Sequence, residues 1–153
     1  MFLTYGDLAN LFPKNKGIQD DELFFHTVTT ISNVPQYKGI FIPFEENSGE
    51  LKTAIENGAI AALWKEGDEI PQYTPNHFPI FFTNDILKGL KDMMELYIEK
   101  INQTEIKRKE VTNFLFSREL LLNKNKTTYD NAEIADKISK LLEQLRQGKE
   151  GAK

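Results

Sequence analysis

At 153 residues, 40% of them apolar and eleven of them phenylalanine, the chain can bury the core of one domain, or of a compact domain with an appendage. The absence of cysteine excludes disulfides, thiolate metal sites and thiol nucleophiles. A net charge of −4, an opening without a basic-then-apolar pattern, and no window near the roughly 18 apolar residues of a membrane span point to a soluble cytoplasmic protein, away from nucleic acid and membranes.

Along the chain, Leu3, Leu8, Leu11 and Phe12 fall at near-helical spacing with Asp7 near a helix start, and residues 14–17 break the pattern. From Glu22 to Ser32 the run is rich in β-branched and aromatic residues and predicts a strand, after which Pro35 imposes a loop. Gly39 to Phe44 predicts a second strand, apolar nearly throughout and therefore buried on both faces. Ser48 is placed to cap a short helix carrying Leu51, Ala54 and Ile55 on one face and closing at Gly58. Ile60 to Trp64 and Pro79 to Thr83 read as further buried strands, separated by a linker with Pro71 and Pro75. Asn84 can cap a longer helix with the stripe Ile86, Leu90, Met93, Met94, Tyr97 and Ile101. The order strand, helix, strand, strand, helix predicts an α/β body over residues 1–103, a small mixed sheet with flanking helices.

The character changes after Gln103. Residues 1–103 hold 8 Lys/Arg against 15 Asp/Glu, whereas residues 104–153 hold 11 against 8, with all three arginines (Arg108, Arg118, Arg146). Acids are interspersed there, so the basic excess reads as a solvated helical surface. Val111 to Leu122 fits a helix, although its FLF and LLL clusters also suit a strand. Asp130 or Asn131 can cap an amphipathic helix bearing Ile134, Ile138, Leu141, Leu142 and Leu145. Residues 104–153 are thus expected to be a mainly helical extension, whose leucines need the body, a protein partner or a second copy to cover them.

Catalytic chemistry is hard to find. Lys126-Thr127-Thr128 invites comparison with a phosphate-binding loop, but the glycine positions hold Leu120 and Asn125. His26 and His77 have no nearby second ligand, and His26 reads as a strand residue with a hydrogen-bond partner. Ser32 lacks a nucleophile-elbow context. The pairs at Asp20-Asp21 and Glu45-Glu46 read as solvated loop charge, and Trp64, Tyr37 and the phenylalanines as core or strand-face residues. No catalytic residue, metal site or cofactor is predicted.

Read together, residues 28 to 90 resemble the N-terminal, UDP-sugar-binding domain of the muramyl-peptide (Mur) ligases. Thr29-Thr30-Ile31-Ser32-Asn33 stands where that family has an Asp-Ser-Arg turn, and Phe41 follows Ser32 by the family's nine residues. Ser48-Gly49 matches its loop, the run from Ala54 through Gly58-Ala59 to Leu63 its helix and strand, and Pro79 to Asp85 its next strand and helix start. Ile31 and Asn33 replace the family's aspartate and arginine, and the loop at Ser48 is shorter. The resemblance implies a Mur ligase N-terminal-domain-like fold in a stand-alone, non-catalytic bacterial protein of peptidoglycan (cell-wall) biosynthesis. It would bind a UDP-muramoyl-type precursor, or a diverged ligand, through Thr30, Ser32, Asn33, Asn47 and Ser48. The alternative is an interaction scaffold working through residues 104–153, with UDP-sugar binding lost.

Overall fold

A computed structural model describes residues 2–44, 48–103, 111–116 and 136–145. Among the described residues six strands form one sheet, in the order β2 (Asn15–Lys16), β7 (Ile80–Thr83), β6 (Ala59–Lys65), β5 (Gly39–Phe41), β4 (Thr27–Thr29) and β8 (Asn113–Leu115). Pairing is parallel from β7 through to β8, and β2 joins β7 antiparallel at the edge. A separate antiparallel pair links β1 (Leu3–Thr4) to β3 (Phe24–Phe25). The protein is mixed α/β with a mixed sheet.

Alternation along the strands sends side chains to two different cores. Val28, Ile40, Ala61, Leu63, Phe81 and Phe114 face α1 (Tyr5–Leu11), α3 (Ile86–Asn102) and α4 (136–145). Their neighbours Phe41, Ala62 and Ile80 pack on the opposite face against Leu51 and Ala54 of α2 (Leu51–Glu56). Because both faces are covered, the central strands read as continuous apolar runs in the sequence.

Several local expectations are corrected. The run from Glu22 to Ser32 is not one strand, because Phe24–Phe25 pairs with Leu3–Thr4 while Thr27–Thr29 enters the main sheet. His26 is the crossing point: its N–H donates to the Lys38 carbonyl (3.1 Å) and its own carbonyl accepts from Asn113 (2.9 Å). Asp7 does stand in the first turn of α1, as N3 rather than the cap; Thr4 is the N-cap, and the two residues exchange side-chain-to-backbone hydrogen bonds of 3.1 and 3.0 Å in a capping box. Ser48 does not cap α2, whose N-cap is Glu50 with no side-chain bond, because Gly49 turns the chain at φ +93° in between. Asp85, not Asn84, caps α3, its carboxylate accepting from the Lys88 N–H at 3.1 Å; an ionised acceptor also suits the helix dipole. Residues Asn15–Lys16 form the edge strand β2 where only a break was expected.

Beyond Gln103, residues 111–116 and 136–145 pack with the body. Between the helical and extended readings of residues 111–122, the strand holds at Asn113–Leu115, and β8 lies beside β4 as the sheet's last strand among the described residues. Helix α4 places Ile138, Leu141 and Leu142 in the core shared with α1 and α3. The expected cap at Asp130 or Asn131, Ile134, the Lys126-Thr127-Thr128 run and the three arginines lie outside the described residues.

Candidate functional site

Parallel strands β4 and β5 deliver their carboxyl ends to one corner of the sheet. At the end of β4 the Thr29 hydroxyl accepts from the Ile31 N–H (3.1 Å), starting a sharp bend. The Thr30 N–H donates to the Leu115 carbonyl at 3.2 Å, so the bend is fastened to β8. Ser32 then meets the loop that follows β5: its N–H donates to the Ser48 carbonyl (2.8 Å), while the Ser48 hydroxyl accepts from the Phe44 N–H (3.1 Å). Thr30, Ser32 and Ser48 are thereby brought together, and Asn33 stands next to them in the exposed turn. Asn47 lies outside the described residues.

Burial divides these residues by role. Thr30, Ser32 and Ser48 are only 0%, 4% and 1% exposed, so they shape the corner, whereas Asn33 offers its amide to solvent. Neither Ser32 nor Asn33 has a cationic side chain bonded to it among the described residues. Thr30, Ser32, Asn33 and Ser48 themselves offer neutral donors and acceptors. Among the described residues no group of three or more His, Asp or Glu could hold a metal ion.

Two residues not singled out in the sequence complete the corner. Residues 30–38 connect adjacent parallel strands without a helix, a connection that ordinarily takes a dozen residues or more. Fully buried Gln36 makes this possible, its Nε2 lying 3.1, 3.1 and 3.2 Å from the carbonyls of Ile31, Ser32 and Val34. Asn57, past the end of α2, donates from Nδ2 to the carbonyls of Ser32 and Thr53, both at 3.0 Å. A glutamine directly after Pro35, and an asparagine before a glycine, were the available signals; both look like ordinary loop composition.

The strand order gives the corner its position. From β4 the chain steps to β5 on one side, yet β8 on the other side is reached through α3. The connections thus diverge between β4 and β8, where Thr30 bonds Leu115, and open α/β sheets bind ligands beyond the carboxyl ends of strands at such a point.

A second concavity of about 420 Å³ lies beside β8, lined in part by Thr27, Pro35, Tyr37, Tyr97, Phe114 and Leu142. Its size is in the range of small-molecule sites, about 300–1,000 Å³. Burial pushes the Tyr97 phenol above its usual pKa, and the Thr112 N–H, donating to the phenol oxygen at 2.8 Å, partly opposes that. A raised acid pKa stabilises the fold only while the group stays protonated, so this contribution is present below pH about 10 and is lost as pH rises beyond it. Tyr5, raised by burial and by Asp21, acts in the same direction. Urea denaturation from pH 8 to 11 should show stability falling above pH about 10, less steeply in Tyr97→Phe; equal slopes would remove Tyr97 as a source.

No protein-family model matches the chain, and no curated protein shows a significant match to it. Among the described residues no helix is long and apolar enough to cross a membrane.

Proposed function

We propose that the chain is a non-catalytic binding module, a stand-alone and diverged relative of the Mur ligase N-terminal domain, acting in the bacterial cytoplasm. Its ligand is a UDP-linked cell-wall precursor, or a diverged compound, held at the carboxyl ends of β4 and β5. The observation that carries this reading is the convergence of Thr30, Ser32 and Ser48, with Asn33 beside them, where the strand connections diverge. The Ser32–Ser48 backbone bond joins the two loops, the Ser48 hydroxyl braces the second, and the exposed Asn33 amide contacts ligand. Where the family's arginine would clamp a diphosphate with two hydrogen bonds, a neutral amide favours the sugar or base portion.

The interaction-scaffold reading loses support from α4. Ile138, Leu141 and Leu142 of its apolar stripe are spent on the body, so they do not need a partner to cover them.

The test is the thermal midpoint with UDP, UDP-N-acetylglucosamine and a UDP-muramoyl peptide. A compound at about 100 times its Kd adds roughly 2.7 kcal/mol of stability. The expected result is a shift with the muramoyl compound that disappears in Asn33→Ala and in the Ser32→Ala/Asn33→Ala double variant. A shift retained by both variants would move the site elsewhere, and no shift with any compound would remove the reading.

A further inference from the structure

At the opposite, amino ends of β4 and β5 the surface carries a group of rings outside both apolar cores. Phe2 stacks on Phe24 with centroids 5.3 Å apart, and His26 tilts against both at 4.2 and 5.4 Å. Tyr37 meets the edge of His26 at 5.1 Å and is 67% exposed, contrary to its expected place in the core or on a strand face. The Lys38 ammonium sits 4.2 Å above the Phe24 ring.

Two features separate this group from ordinary surface packing. Among the described residues the His26 ring, the Tyr37 hydroxyl and the Lys38 ammonium form no hydrogen bond, and Lys38 no ion pair; the hydrogen-bond partners of His26 are met by its backbone, at Lys38 and Asn113. Lys38 is also the one non-glycine residue with positive φ (+45°) among the described residues, a conformation that costs an ordinary side chain roughly 1–2 kcal/mol. The strained backbone holds the cation over the rings, on a body whose charge is otherwise mostly negative.

We infer that this face is a binding site for an aromatic anion, a planar ring carrying a carboxylate, sulfonate or phosphate. The ring stacks on Tyr37, the most open ring of the group, and the anionic group pairs with Lys38, with the imidazole of His26 and the Tyr37 hydroxyl as hydrogen-bond partners. A bare anion lacks the stacking surface, and a neutral ring leaves the ammonium without a counter-charge. The site does not depend on the proposed function, which concerns the other end of the strands.

The test is a titration followed by amide resonances of the full chain, using 2-naphthoate, the uncharged 2-naphthamide, and acetate. Naphthoate at millimolar concentration is expected to shift the resonances of Phe24, His26, Tyr37 and Lys38 saturably, and to bind about fivefold more tightly than naphthamide, with acetate silent. Lys38→Gln should abolish the preference for naphthoate, and Tyr37→Ala should weaken both ring compounds. The side chains exchanged are outside the cores, and an otherwise unchanged spectrum verifies the fold of each variant. Equal binding of naphthoate and naphthamide, shifts confined to other residues, or no saturable shift would each overturn the assignment.

Discussion

Thr112→Val is expected to cost about 3 kcal/mol of unfolding free energy, near the top of what single buried substitutions cost without a change in side-chain volume. The Thr112 hydroxyl accepts from the Leu3 N–H at 2.9 Å and donates to the Phe25 carbonyl at 2.7 Å, all three residues being buried. Valine preserves shape and removes both bonds, leaving a buried donor and a buried acceptor to be desolvated unpaired at about 1–3 kcal/mol each. The same residue's N–H bonds Tyr97 on α3. One residue thus joins the β1–β3 pair, α3 and the start of β8, elements separated by up to 109 positions in sequence. Thr112→Ser keeps the hydroxyl and loses a methyl, so it should cost about 1 kcal/mol. Urea midpoints at unchanged m-value would measure both. If valine costs less than serine, burial of the methyl rather than the bonds holds the junction.

That junction marks where sequence legibility ends. Apolar runs such as Gly39–Phe41 and Ala59–Lys65 announce themselves, because a doubly buried parallel strand needs no polar face. The stripe of α3 is equally plain: Leu90, Met93, Met94, Tyr97 and Ile101 recur at helical spacing and all are buried. By contrast β1, β2 and β3 have two residues each, too few for any periodicity to appear, and are fixed by partners far away in the chain. The break between β3 and β4 is invisible for the same reason, since phenylalanine and threonine suit a strand in either sheet. Strand order is set by where α3 returns the chain, which local pattern does not encode. At the candidate site, the turn and loop serines were legible as polar residues next to apolar strands. Their burial was not, since it depends on Gln36 and Asn57 supplying side-chain amides to the carbonyls around them.

Gly49→Ala should lower the unfolding free energy by roughly 2–4 kcal/mol, and the loss should depend on Ser32. Two costs combine. Gly49 has φ +93°, where a side chain costs about 1–2 kcal/mol in local strain. A Cβ there would also stand 1.9 Å from the Ser32 hydroxyl oxygen and 2.9 Å from its Cβ, so a buried side chain must rotate or the two loops must part. Overpacking of this kind costs about 1–3 kcal/mol. Removing the oxygen in Ser32→Ala/Gly49→Ala relieves the first contact but leaves the second contact and the backbone strain. The double variant is therefore expected to regain about 1 kcal/mol over Gly49→Ala alone, a coupling that a double-mutant cycle of denaturant midpoints reads directly. Such coupling would mean that Ser32 and Gly49 are wedged together and that the turn carrying Asn33 is held rigidly. A full-cost Gly49→Ala without recovery would place the whole penalty in the backbone and leave Asn33 on a turn free to adjust. A loss below about 0.5 kcal/mol would show that the loop after β5 has room for the methyl, and that the corner is not close-packed.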